Sequence, residues 1–203
     1  MSKKLHGGAD VNVIAAFHAV DLGAPFRVIL NDCIVAKIDS ETGEMLDYTI
    51  PDFEGLVRTV VMARLVNERK LNGAELKYLR KATGIKQVQL AQVLDCQPEH
   101  LSKVESGKHP LSPTAEKVAR LFLFKAAAKH HKMPESEEKT MLDNLLDQVF
   151  SGLKPVAAFD AEELEFQFFL KPASVGAAND DEETGAHEPQ HCAWSKELMV
   201  ACG

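Results

Sequence analysis

Apolar and polar residues alternate along this chain in two different periods, and the change from one to the other divides it. The lead contains one apolar patch, VNVIAAFHAV, which fits either a strand or a helical turn. Phe26–Leu30, Cys33–Ile38 and Met45–Ile50 then read as β-strands. Asn31-Asp32 and the Ser40–Glu44 segment supply turn chemistry between them, so a three-stranded meander is expected. From Pro51-Asp52 the period lengthens to that of a helix. Leu56, Val57, Val60, Val61 and Leu65 share one face, Asp52 is the expected N-cap, and the helix is expected to pack the meander against the helical region beyond it.

Helical spacing continues. Asn72 and Glu75 have the spacing of a capping box for a helix through Thr83, which Gly84 ends. Ser112-Pro113 opens a later helix whose Val118, Leu121, Phe122 and Phe124 are more apolar than a surface helix requires, so part of it should face a core or a second subunit. Another helix is predicted over residues 135–150, with Met141, Leu145 and Val149 on one stripe, and a strand over residues 164–170. The residues from about 173, including Asp180–Glu183, have the composition of a mobile acidic tail.

Between Ile85 and Lys108 the pattern is tighter. Counting from Gln87, Ala91 is a small residue where two short helices would approach, and Leu90, Leu94, Cys96, Leu101 and Val104 are the inward positions. Asp95 occupies the turn, a place that needs a residue tolerant of the left-handed conformation. Pro98 fits the first position of the second helix, where a missing N–H is harmless, and Gly107 fits its C-terminal stop. Gln87, Ala91, Leu101, Val104, Glu105 and Gly107, all in register, resemble the Cro/C1 (XRE) helix-turn-helix family over roughly residues 71 to 124. The segment LNGAELKYLRKATGIKQ, after an apolar helix and a β region, also resembles the C-terminal half of MqsA-type antitoxins. The paired CxxC zinc motifs of that second family have no counterpart in this chain.

The resemblance implies a DNA-reading role for particular side chains. Gln97, Glu99, His100, Ser102 and Lys103 fall on the exposed face of the implied recognition helix, whose N-terminal half enters the major groove. Gln97 suits adenine, Glu99 the N4 amino group of cytosine, and Lys103 the O6 and N7 of guanine; His100 and Ser102 are the weaker candidates. Lys86 and Gln87 on one side, and Ser106, Lys108 and His109 on the other, are the implied phosphate contacts. Arg80 and Glu105 are implied to be structural, a buried ion pair joining the first helix to the end of the recognition helix.

Charge changes the picture only when it is divided along the chain. The whole sequence carries −7, yet residues 69–132 hold 13 Lys and Arg against 5 Asp and Glu, a local +8, and the remainder carries −15. Phosphate binding responds to local charge, so a basic segment between acidic ends is compatible with nucleic acid. Apolar content of 45% and 203 residues allow one sizeable core or two small ones. Four scattered cysteines do not make a disulfide framework, and no apolar run approaches the roughly 18 residues of a membrane span. A cytoplasmic protein without a membrane partner is expected. The spacing of His187, His191, Cys192 and Cys202 would suit zinc, but its acidic, Gly- and Ala-containing setting reads as tail; no metal or cofactor is expected, and no catalytic constellation is found.

The expected fold is α+β, mainly α. It comprises a β-containing region with a linking helix (1–68), a helix-turn-helix domain (69–132), a C-terminal helix and strand (133–172) and the tail (173–203). Two functions fit. One is a dimeric repressor of an inverted-repeat operator in double-stranded DNA, the dimer resting on the surplus apolar face of Val118–Phe124. The alternative is an antitoxin that neutralises a protein toxin through its β-containing region and uses the helix-turn-helix for autoregulation.

Overall fold

A computed structural model of the chain describes residues 9–129, 135–151, 164–172 and 192–196. It is α+β. The strands β1 (Ala9–His18), β2 (Arg27–Asp39) and β3 (Met45–Thr49) precede six helices: α1 (Phe53–Leu65), α2 (Gly73–Ala82), α3 (Gln87–Val93), α4 (Pro98–Glu105), α5 (Pro113–Ala128) and α6 (Glu135–Ser151). The strands β4 (Glu165–Pro172) and β5 (Cys192–Lys196) close the order. Two compact units result, one from Met1–His18, Ile29–Phe53 and Gln167–Gly203, the other from Ala19–Val28 and Glu54–Phe166.

The sheet has the order β1-β2-β4-β5, with β3 also pairing β2. β1 and β2 run antiparallel with Val13 opposite Val35, and β3 continues antiparallel with Thr49 opposite Val35. The apolar patch of the lead is therefore a strand. The predicted reversal at Asn31-Asp32 does not occur, because β2 runs straight through it as one strand. Asp32 does take the left-handed conformation (φ 52°), but the register with β1 slips there, from Ile14 opposite Ile34 to Ala16 opposite Asn31. The same short polar chemistry that makes a turn also makes a β-bulge. Between β2 and β3 the expected turn is present. Asp39 Oδ1 accepts from the backbone N–H groups of Glu41 and Thr42 at 2.8 and 2.9 Å, and these two bonds, Thr42's first, hold its carboxyl below the usual carboxylate range.

Asp52 is not an extended N-cap: its φ of 42° turns the chain in the left-handed region just before α1. Val61, Met62 and Leu65 of α1 join Leu76, Leu79, Leu90, Leu101, Val104, Leu123, Phe124, Leu145 and Val149 in one core, so α1 belongs to the helical unit. The apolar surplus of α5 is largely absorbed there as well. Ala119, Leu123, Phe124 and Ala127 are buried and α6 packs against α5; of Val118, Leu121, Phe122 and Phe124, only Val118 is exposed. The region read as tail contains β5, which pairs antiparallel with β4. His187, His191 and Cys202, and the side chain of Cys192, lie outside the described residues.

Candidate nucleic-acid interface

Three successive helices end in the same way. Each places a left-handed residue just past its C-terminus: Gly84 (φ 71°) after α2, Asp95 (φ 51°) after α3 and Gly107 (φ 76°) after α4. In each case the next N–H reaches back to a carbonyl five residues earlier, Ile85 to Arg80, Cys96 to Ala91 and Lys108 to Lys103. The left-handed residue bonds three back, to Lys81, Gln92 and Val104 respectively. This is the Schellman stop, which satisfies carbonyls that would otherwise be orphaned and turns the chain sharply. Repetition of the stop fixes α2, α3 and α4 as short rods of defined length.

Starts are equally local. Asn72 caps α2, its side chain accepting from Glu75 N–H at 2.9 Å while the Glu75 carboxylate accepts from Asn72 N–H at 2.8 Å, the expected capping box. Gln97 precedes Pro98 in extended conformation at the start of α4, and Ser112 Oγ accepts from Ala115 N–H at the start of α5.

Packing then sorts the faces of α4. Leu101, Val104 and Glu105 are buried, whereas Gln97, Glu99, His100, Ser102 and Lys103 are all exposed. The five implied base readers thus share the outer side of one helix. Lys86 at the start of α3, and Ser106, Lys108 and His109 after α4, are exposed; Gln87 is half-buried. Ser106 Oγ donates to Lys103 O, and the N–H groups of both Lys108 and His109 converge on the same oxygen, so these phosphate candidates sit on a loop closed against the helix end. The imidazoles of His100 and His109 lie with ring centroids 5.7 Å apart. Cys96, half-buried in the turn, has its thiol pushed up by burial and by the neighbouring Asp95.

Glu105 ties the arrangement together. Arg80 meets it at two points, Nε to Oε1 at 2.5 Å and Nη2 to Oε2 at 3.0 Å, and also donates to Ile85 O. Gln87 Nε2 donates to Glu105 Oε2 at 3.0 Å, so this implied phosphate contact is oriented by the buried carboxylate. Gly73 brings α2 against the end of α4: a Cβ there would overlap the carbonyl oxygen of Val104 and stand 3.1 Å from Gly107 N.

Sequence reasoning missed a second set of buried charges. Arg64 and Arg120, both fully buried, hold the connection from α1 to α2 by its backbone. Arg64 donates to Arg69 O and Lys70 O and pairs with Glu75; Arg120 donates to Leu65 O, Asn67 O and Arg69 O and pairs with Glu116. Glu116 Oε1 in turn accepts from Leu71 N–H at 2.8 Å. Burial, then the proximity of Arg64, pull the Arg120 guanidinium down to about 10 against the opposing pull of Glu116, so it stays charged at neutral pH. A signal existed: Arg64 sits at helical spacing from Val57, Val60 and Val61, a cation on an apolar face. These pairs also sharpen the surface charge. Glu75, Glu105 and Glu116 are buried against arginines, which leaves Asp95 and Glu99 as the acidic residues exposed between residues 69 and 129 among many lysines.

Among the described residues no group of three or more His, Cys, Asp or Glu is arranged to hold a metal ion, and no helix is long and apolar enough to cross a membrane. No curated protein and no solved structure matches the chain. Residues 73–130, from the first residue of α2 to just past α5, match the family described as a helix-turn-helix domain, a likeness that suggests DNA binding by this part of the chain.

Proposed function

We propose that the chain is a cytoplasmic, sequence-specific transcriptional regulator of the Cro/C1 (XRE) type, which represses as a dimer on an inverted-repeat operator. The observation that carries this reading is the outer side of α4, where Gln97, Glu99, His100, Ser102 and Lys103 are exposed together on a helix whose inner side is fixed by Leu101, Val104 and Glu105. Glu99 and Lys103, one turn apart, read base edges, and each well-made contact discriminates by about 1–3 kcal/mol. Lys86, Gln87, Ser106, Lys108 and His109 hold the flanking phosphates. A second half-site about 34 Å away engages the second copy.

Duplexes selected from a random pool by the full chain, then titrated across a salt series, test this. Lys103→Ala is expected to relax preference at particular base pairs. Lys86→Ala and Lys108→Ala are expected to weaken all sequences alike and to reduce the salt slope by about one each. Selection of no common sequence, or a Lys103→Ala variant that loses affinity uniformly, sinks the reading. The separate sheet-bearing unit favours a second reading, an antitoxin that neutralises a protein toxin and autoregulates through α4. A toxin encoded beside it and copurifying in fixed stoichiometry would decide for that alternative.

A further inference from the structure

β1 is a long sheet edge without the usual protection. Nine of its ten residues, all but Ala15, pair with β2 along one side, and among the described residues no strand pairs along the other. Such an edge offers unpaired N–H and C=O groups to any strand that approaches, and proteins blunt it with Lys, Pro or brevity. ADVNVIAAFH has one charged residue, Asp10, and neither Lys nor Pro; its bulge lies past the middle, between Ile14 and Ala16. Before the bulge, Val11 is 63% and Val13 60% exposed on one face, and Asn12 between them is exposed on the other. Val35, opposite Val13, is 47% exposed, so the valines form a continuous apolar patch.

We propose that β1 is the seam of a homodimer, pairing antiparallel with β1 of a second copy about a two-fold axis at Asn12. In that register Val11 of each copy lies opposite Val13 of the other, and Asp10 lies opposite Ile14, so no like charges are opposed. Each row across the seam then reads Asp47, Lys37, Val11, then Val13, Val35, Thr49 of the second copy, as the register within each sheet requires. The apolar residues fall at the centre, and each row carries an Asp47–Lys37 pair of opposite charge at one end. An isologous contact demands this self-complementarity. The seam supplies the dimer that the proposed operator reading calls for and rests on that reading for its purpose, though its test involves no DNA.

Sedimentation of the full chain is expected to give a dimer at micromolar concentration, and Val13→Lys, which sets a charge into the patch, is expected to give a folded monomer by circular dichroism. Asn12→Cys provides a second measurement that leaves the valines intact. Residues directly opposed across antiparallel strands have Cα atoms about 4.5–5.5 Å apart, within disulfide reach, so mild oxidation should trap a covalent dimer absent from the parent chain and from a Leu46→Cys control. A monomeric parent chain overturns the proposal, as does a dimer that survives Val13→Lys while Asn12→Cys traps no more than the parent, or a β1 that pairs only with a different protein. A dimer with this seam that selects no DNA sequence would leave the seam standing and remove the regulator reading instead.

Discussion

Arg80 and Glu105, 25 positions apart, form a buried two-point ion pair that joins α2 to the last turn of α4. Because the Glu105 carboxylate also receives Gln87 Nε2, one buried group positions α2, α3 and α4 together. Glu105→Gln keeps the shape and removes the charge that Arg80 needs. We expect a loss of about 3–5 kcal/mol in denaturant unfolding, the cost of leaving one member of a buried pair uncompensated. A loss below about 1 kcal/mol, the range of an exposed pair, would show that the pair is not a tether.

Arg120 carries a larger set of bonds than any lysine can make, since three backbone oxygens and a carboxylate share its fork. Arg120→Lys is therefore expected to be nearly as destabilising as Arg120→Ala, both by several kcal/mol. Hydrogen exchange should locate the damage first at residues 65–71, the connection that the guanidinium holds. Full stability in Arg120→Lys would refute the backbone-clasp role.

Gly73→Ala tests a close approach. Its methyl group would overlap Val104 O, a backbone atom at the end of α4 that cannot swing aside. In an open helix this substitution is favourable by about 1 kcal/mol; here we expect destabilisation of about 1–3 kcal/mol, the usual cost of overpacking. The sign of the change in midpoint decides.

Tyr78 packs edge-on to Phe26, with centroids 5.8 Å apart, and its buried hydroxyl has no hydrogen-bond partner among the described residues. Burial pushes the phenol up to about 12 from the ordinary 10. The folded chain keeps this proton over a window where the unfolded chain has released it, so this group leaves stability unaffected below about pH 10 and lowers it as pH rises from there through about 12. Titration by tyrosinate absorbance should show one of the two tyrosines late, and Tyr78→Phe should remove that step. Stability at neutral pH should be unchanged or higher in Tyr78→Phe, since an unpaired buried hydroxyl is removed.

What the sequence determined by itself was whatever local chemistry decides. The capping box of Asn72 and Glu75, the left-handed stops at Gly84, Asp95 and Gly107, Pro98 at the start of α4 and the inward positions Leu90, Ala91, Leu101 and Val104 each depend on residues within about one turn or on a single helical period. The sorting of α4 into a buried and an exposed side comes from the same period, so the candidate readers were legible together. The Arg80–Glu105 pair was legible only through family resemblance. Tertiary structure decided the rest. Asn31-Asp32 is compatible with a turn or a bulge, and only the continuous pairing of β2 with β1 selects the bulge. Whether the apolar surplus of α5 faces a partner or a core depends on where α6 lies. Arg64 and Arg120 meet carbonyls and carboxylates from as far as 55 positions away, and Gly73 meets Val104 across two helices. Except for Glu116, four positions before Arg120, those partners are reached by no local rule, because the desolvation that makes them necessary arises only once the elements have packed.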